Sequence, residues 1–405
     1  MQKAVSKISY LDGIRGVAAF LVFFHHFLLA FYTAFYTWDV KAVHLRNNFE
    51  ISYGQSLLSV FSNGNFCVCI FFVLSGFVLS KKYFDTHSTG VLISGAQRRF
   101  IRLYIPVATT VILSFILYRS FHYYNIPARI IAHSEWWFGP NLEYRDSPAA
   151  FLRSLTYSAI LRGDTTFDTS LWTMGIEFYG SLFVFAFLAL THNTKNRRTA
   201  LLLVLAYCFF TDGPYLGAFV LGISLNYTLR LREKLNKYAI TFLAIILLMV
   251  SLVFGAYPTS GDIRGTFFSN IPVFILPYAG WIHIVGGYFL VLAFVFSIPL
   301  QRFISMRLFR FLGYISFSFY LLHPLVLSSL SSYLLLQFNG RFGYNKSMVV
   351  IFILTTAVCL AASWLMTKYV DVPGMKFAKY VYNRFIKKNP ERQPEISILK
   401  AQDAD

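Results

Sequence analysis

Ten apolar runs, separated by short polar or charged segments, dominate the pattern along the 405-residue chain. They fall at roughly 14–36, 66–80, 103–118, 171–190, 200–210, 214–229, 239–256, 272–297, 311–337 and 348–367. Apolar runs of about 18 or more residues with few charges have the length of a membrane-crossing helix. The pattern therefore predicts an all-α integral membrane protein, a bundle of about ten transmembrane helices. The fifth run is short: its eleven residues rise about 16 Å, against a hydrocarbon core of ~30 Å. Merging it with the sixth would ignore the turn Thr211-Asp212-Gly213-Pro214.

Charge decides between these readings. With ten spans and both termini cytoplasmic, 25 of the 36 Lys and Arg lie inside and 10 outside, with Arg15 in the first span the remaining one. Merging the two runs reverses everything downstream and gives 13 inside and 22 outside. An excess of inner Lys and Arg is the normal arrangement, so the ten-span reading is preferred. Residues 1–370 form a transmembrane domain, and 371–405 a basic, then polar, cytoplasmic tail with no fold of its own. Outer segments 37–65 and 119–170 are long, and the second, with Trp136, Trp137 and Tyr144, has the makings of a lid or simply of a cover.

Composition agrees: 56% of the residues are hydrophobic and only 13% charged, against about a quarter charged in soluble domains. The formal charge of +18 is split into short clusters at span ends, so no basic domain follows a phosphate backbone and nucleic acid is excluded as a partner. Cys67, Cys69, Cys208 and Cys359 sit in apolar surroundings without metal-ligand spacing, and no metal is expected. The partner is membrane lipid, and the location a plasma membrane, or the inner membrane of a bacterium.

Ionisable groups inside spans are costly unless paired or solvated, and they mark function by default. The first span opens Tyr10-Leu11-Asp12-Gly13-Ile14-Arg15-Gly16 and later carries His25-His26. Eleven steps of 100° bring His26 to within ~20° of Arg15, and Asp12 lies within ~40° of His26; His25 is turned away by ~100°. Asp12, Arg15 and His26 thus share one face, flanked by Gly13, Gly16, Ala18 and Ala19, which let a neighbouring helix come close. The stripe reads either as a packing seam with a snorkelling Arg15 or as a base with an anion clamp, neutral imidazole being the usual proton acceptor near neutral pH. Glu177 is the only acid inside a well-defined span, near its outer end. Tyr320 and His323 lie three apart on one face, and His283 is read as a satisfied structural histidine. Arg99 and Arg102, beside Arg98, share a face leading into the third span; they suit a phosphate-bearing ligand or serve as ordinary inner anchors.

Leu11-Asp12-Gly13-Ile14-Arg15-Gly16 with His25-His26, Phe71-Phe72-Val73-Leu74-Ser75-Gly76-Phe77, Arg99-Phe100-Ile101-Arg102, Leu171 to Glu177 and Ser316 to His323 occur in the order of the acyltransferase 3 family of membrane O-acyltransferases, which the chain resembles. The resemblance implies an acyl-CoA donor, usually acetyl-CoA, as a co-substrate with no tightly bound cofactor. It also implies a carbohydrate or other small-molecule hydroxyl acceptor, and essential roles for Arg15 and His26. On that reading the CoA phosphates dock on Arg98, Arg99 and Arg102, and Asp12 steers the Arg15 guanidinium. His26 acts as general base, with Glu177 or His323 orienting it or the acceptor. Tyr320, His323, Ser316, Trp172 and His25 are the expected substrate contacts. Two alternatives stay open: His26 carries the acyl group covalently, or the protein is a transporter or channel whose first helix lines a path.

Overall fold

The computed structural model describes residues 9–134, 147–211, 213–232, 235–271 and 279–386, and over these the chain is helical, with no strand. Ten principal helices coincide with the ten apolar runs: α1 (Ser9–Phe31), α2 (Gly64–Thr86), α3 (Thr89–Arg119), α4 (Trp172–Leu190), α5 (Arg197–Phe210), α6 (Pro214–Arg232), α7 (Lys237–Gly255), α8 (Ala279–Phe296), α9 (Arg307–Val326) and α10 (Tyr344–Met366). Seven segments are long and apolar enough to cross a membrane: those of α1, α2, α3, α4 and α7, the continuous helix Arg307–Phe342 that begins with α9, and Tyr344–Ile386 that begins with α10. An eighth results if Gly280–Phe296 and Ile298–Ile304, bent by 102° from each other, count as one span.

The expected ten spans therefore come down to seven or eight by length and apolarity. The difference lies in α5 and α6. α5 has 14 residues, about 21 Å, short of the ~30 Å core. α6 brings Ser224, Asn226, Thr228 and two arginines into its second half. The two helices are separate elements all the same, because Thr211 is extended (φ −119°, ψ 166°) and ends α5.

α2 lies at the centre, packed against α1, α4, α6 and α8. α1 crosses α9 closely. A Cβ on Gly16 would overlap the backbone of Gly313, and one on Gly313 would overlap the carbonyl of Asp12. Lipid supplies no hydrophobic drive for helices to associate, so backbone proximity of this kind is what holds the pair. It also places the polar face of α1 directly against that of α9.

Two lengths differ from the sequence reading. α3 starts at Thr89, so ten residues, about 15 Å of helix, precede Arg99 and carry it into the bundle. Residues 371–386, read as the start of a tail, continue the last helix. They pack on α3 through Gly374 against Ile105. Segment 37–65 forms short turns and the helix Phe49–Gly54; Trp136, Trp137 and Tyr144 lie outside the described residues.

Candidate active site

The first turns of α1 present Asp12 and Arg15 three residues apart, with 3.6 Å between Arg15 Nη1 and Asp12 Oδ1. The carboxylate sits where a helix N-terminus favours negative charge. Both residues line a cavity of about 360 Å³, within the ~300–1,000 Å³ usual for small-molecule sites. α2 adds Phe71 and Ser75, α3 adds Arg99 and Arg102, α4 adds Thr173 and Glu177, and α9 adds Ser316 and Tyr320. The extension of α10 closes the wall with Asp371.

Three guanidiniums and three carboxylates thus face one space. The Arg99–Glu177 pair is the tightest: Arg99 Nη2 donates to Glu177 Oε1, Ser75 Oγ donates to the same oxygen at 2.8 Å, and Arg99 Nε donates to Ser181 Oγ at 2.8 Å. Arg99 is buried, at 6% exposure, so it is a tie between α3 and α4 rather than a loose anion clamp. Arg102 is exposed and faces the cavity. Arg98 does not reach it: its Nε donates to the Ser94 carbonyl at 2.9 Å, and its guanidinium lies 5.8 Å from the centre of the Tyr382 ring. The expected trio of phosphate-binding arginines is therefore split, because ten residues of helix carry Arg99 inward. The same contact moves Glu177 from the outer position expected for it to the level of the arginines.

Ser316, Tyr320 and His323 follow at i, i+4 and i+7 and share one face of α9. Ser316 and Tyr320 line the cavity. Tyr320 closes its end: its phenol is 3.1 Å from Thr173 Oγ1 and its ring centre 5.8 Å from that of Phe71. One turn further, the His323 ring lies 5.9 Å from the Tyr320 ring. His323 Nε2 is 2.8 Å from His26 Nδ1, with the two rings stacked at 5.0 Å. Eleven residues of α1 separate Arg15 from His26, about 16 Å along the axis. The polar stripe read from the sequence is therefore one wall of the cavity at Asp12 and Arg15, and a histidine pair just past its end at His26.

Two expected contacts point elsewhere. His25 Nδ1 donates to the Ser62 carbonyl at 2.8 Å, and its ring packs edge-on to Tyr36. It pins α1 to the turn before α2, as its ~100° displacement requires. Trp172 lines a separate groove with Leu161, Tyr179, Pro214 and Tyr215, on the opposite side of α4 from Thr173. Sequence reasoning missed Thr173, Asp371 and the partners of Glu177. The last were findable, since a lone carboxylate inside a span requires a cation or several donors.

The family model described as an acyltransferase domain matches residues 8–368. An O-acetyltransferase from Phomopsis amygdali, PaAT-1, is 25% identical over 468 aligned positions, covering 97% of this chain and 88% of the relative. No solved structure matches.

Proposed function

The chain belongs to the acyltransferase 3 family and is a multi-pass membrane acyltransferase, and on that premise we propose that it is an O-acetyltransferase taking the acetyl group of acetyl-CoA to the hydroxyl of a carbohydrate or other small-molecule acceptor. The relative's name supports acetyl and oxygen transfer. The observation that carries the reading is a cavity lined by Arg15 and Arg102 that runs to Tyr320, one helical turn short of the His26–His323 pair.

The charge balance of the walls refines the donor's placement. With each arginine facing a carboxylate-bearing wall, the interior suits the uncharged pantetheine arm. The CoA phosphates belong at the mouth, near the exposed Arg102. Both termini are cytoplasmic in this reading, so the arginine end opens toward the cytosol, and the enzyme resides in a plasma membrane.

The chemistry is one displacement. His26 takes the proton of the acceptor hydroxyl as its oxygen attacks the thioester carbonyl carbon. The carbon–sulfur bond then breaks, and the protonated imidazole returns the proton to the departing CoA sulfur. A positioned base of this kind supplies about 10²–10⁴-fold. Incubating the purified protein with labelled acetyl-CoA and a panel of glycans tests the proposal by following labelled ester and free CoA. Wild type should form both together, and His26→Ala should form neither above background while staying folded. Full transfer by His26→Ala sinks the assignment.

A further inference from the structure

We infer that His323 is a positioning residue that holds His26 in one tautomer, with Nδ1 carrying the proton and Nε2 the lone pair, so that Nε2 is the nitrogen that takes the acceptor's proton. This rests on the reading of His26 as the base.

The assignment comes from counting hydrogens along the bonds. His323 Nδ1 lies 3.2 Å from the backbone carbonyl of Phe319. A carbonyl oxygen only accepts, so this nitrogen carries the hydrogen. A neutral imidazole has one N–H, which leaves His323 Nε2 as an acceptor. Its partner at 2.8 Å, His26 Nδ1, must then donate. The hydrogen of neutral His26 is on Nδ1, and the lone pair is on Nε2. The opposite tautomers would set two lone pairs against each other at 2.8 Å, or a lone pair against the Phe319 carbonyl. A charged His323 would be a cation at 0% exposure among Phe23, Phe319 and Tyr320, which isolated burial disfavours strongly.

The local sequence sets the ring beside the backbone of its own helix. Residue 324 is proline, inside α9, so the Tyr320 carbonyl loses its usual helical donor. The ring itself donates to the neighbouring carbonyl at i−4, that of Phe319. The dipeptide His323-Pro324 thus makes a ring that donates backward into its own helix and accepts from its neighbour. The arrangement follows the logic of a catalytic triad, in which a third group fixes the tautomer of the base. Here the group is a neutral imidazole instead of a carboxylate, and when His26 becomes protonated, His323 Nε2 accepts the Nδ1–H of the cation.

The test compares His323→Leu, His323→Gln and His26→Ala in the same lipid, with kcat and the acetyl-CoA KM for each. Wrong-tautomer variants of a carboxylate-held histidine lose up to ~10⁴-fold. For a neutral partner His323→Leu should lower kcat by roughly 10²-fold and leave KM within about three-fold. The side-chain oxygen of His323→Gln accepts the same hydrogen and should restore kcat to within about ten-fold of wild type. A merely structural role would make the two variants fall alike, and that outcome overturns the inference, as does a kcat for His323→Leu within about three-fold of wild type. Should His323→Leu fail to fold, ¹⁵N-histidine spectra of the wild type, assigned by difference against His26→Ala, read the tautomer directly; a lone pair on His26 Nδ1 overturns it. Full activity in His26→Ala would instead remove the base assignment, leaving the tautomer readable by the spectra.

Discussion

Two histidine networks lie in this bundle, and they differ in how their hydrogens are committed. At His283, Nε2 donates to the Tyr257 carbonyl at 2.8 Å, and Nδ1 accepts from the Asn65 amide at 2.7 Å. Asn63 donates to the same carbonyl at 3.0 Å and caps α2 by accepting from Phe66 N, while Asn65 accepts from the Tyr215 hydroxyl. Both ring nitrogens are consumed in tying α8 to the start of α2. At His26 and His323 the bonds run in one direction, from His26 Nδ1 through His323 to a backbone carbonyl. They orient a ring rather than close a circle. Partner chemistry, together with burial, separates the two: His283 is fully buried and His26 half-buried.

The largest effect should come from replacing each ring in turn. His26→Ala is expected to lose about 10²–10⁴-fold in transfer, the usual contribution of a positioned base, with its thermal unfolding in detergent little changed. His283→Leu should do the reverse. Equal loss of transfer by both variants, per folded molecule, would break the comparison.

The Arg99–Glu177 pair sharpens it from another side, because Arg99 is buried as His283 is, yet the pair faces the cavity like Arg15. Removing one member of a buried ion pair costs about 3–5 kcal/mol, since the other charge is left uncompensated. Arg99→Leu and Glu177→Leu should each lower the unfolding midpoint strongly, and the double variant should lie above either single one. Additive loss in the double variant would show that the two side chains do not act as a pair. If Glu177→Gln stays folded but transfers nothing, Glu177 has a second role beyond holding α3 to α4.

His283→Leu follows in size. The Tyr257 carbonyl keeps its bond from Asn63, but the Asn65 amide loses the ring that accepts from it, a loss worth about 1–3 kcal/mol. Thermal unfolding checks this, and an unchanged midpoint would mean the network contributes nothing to the α8–α2 junction.

How much of this was legible in the sequence depended on whether one helix sufficed. The stripe of Asp12, Arg15 and His26, and the Ser316, Tyr320 and His323 face, follow from helical periodicity alone, and both are present. Gly13 and Gly16 announced close neighbours without saying that these would be Ile304, in the short helix Ile298–Ile304, and α9. What required a second helix was hidden: the Arg99–Glu177 contact, the bond from His26 to His323 across 297 positions of chain, and Asp371 in the cavity wall. Arg99 was misjudged for a reason of length, since residues 89–98 hold only the short apolar run Val91-Leu92-Ile93 and gave no span-length signal, although they extend α3 by almost three turns. α5 and α6 coincide with their predicted runs, but neither is among the helices long and apolar enough to count as a span.

Glu50 provides the smallest effect and the strictest control, because it is a buried, half-satisfied carboxyl with no place in the chemistry. It lies in the short helix Phe49–Gly54 before α2, at 0% exposure. Its Oε1 accepts from the backbone N–H groups of His44 at 2.9 Å and Leu45 at 3.3 Å. Its Oε2 is buried with no hydrogen-bond partner among the described residues. Burial raises its pKa above the ordinary carboxyl value, more than those N–H groups lower it. The folded chain therefore prefers the protonated form, so the stabilisation from this group is full below the ordinary carboxylate pKa and is lost as pH rises through the folded value. Glu50→Gln keeps an acceptor for both N–H groups and cannot ionise. It should match wild type at low pH, gain on it as pH rises, and transfer acetyl groups at the wild-type rate. Glu50→Ala, which orphans both donors, should lose about 1–3 kcal/mol at any pH. If Glu50→Gln instead lost ground as pH rose, the carboxylate would be the form this fold requires, and a charge partner for Oε2 would have to be sought outside the described residues.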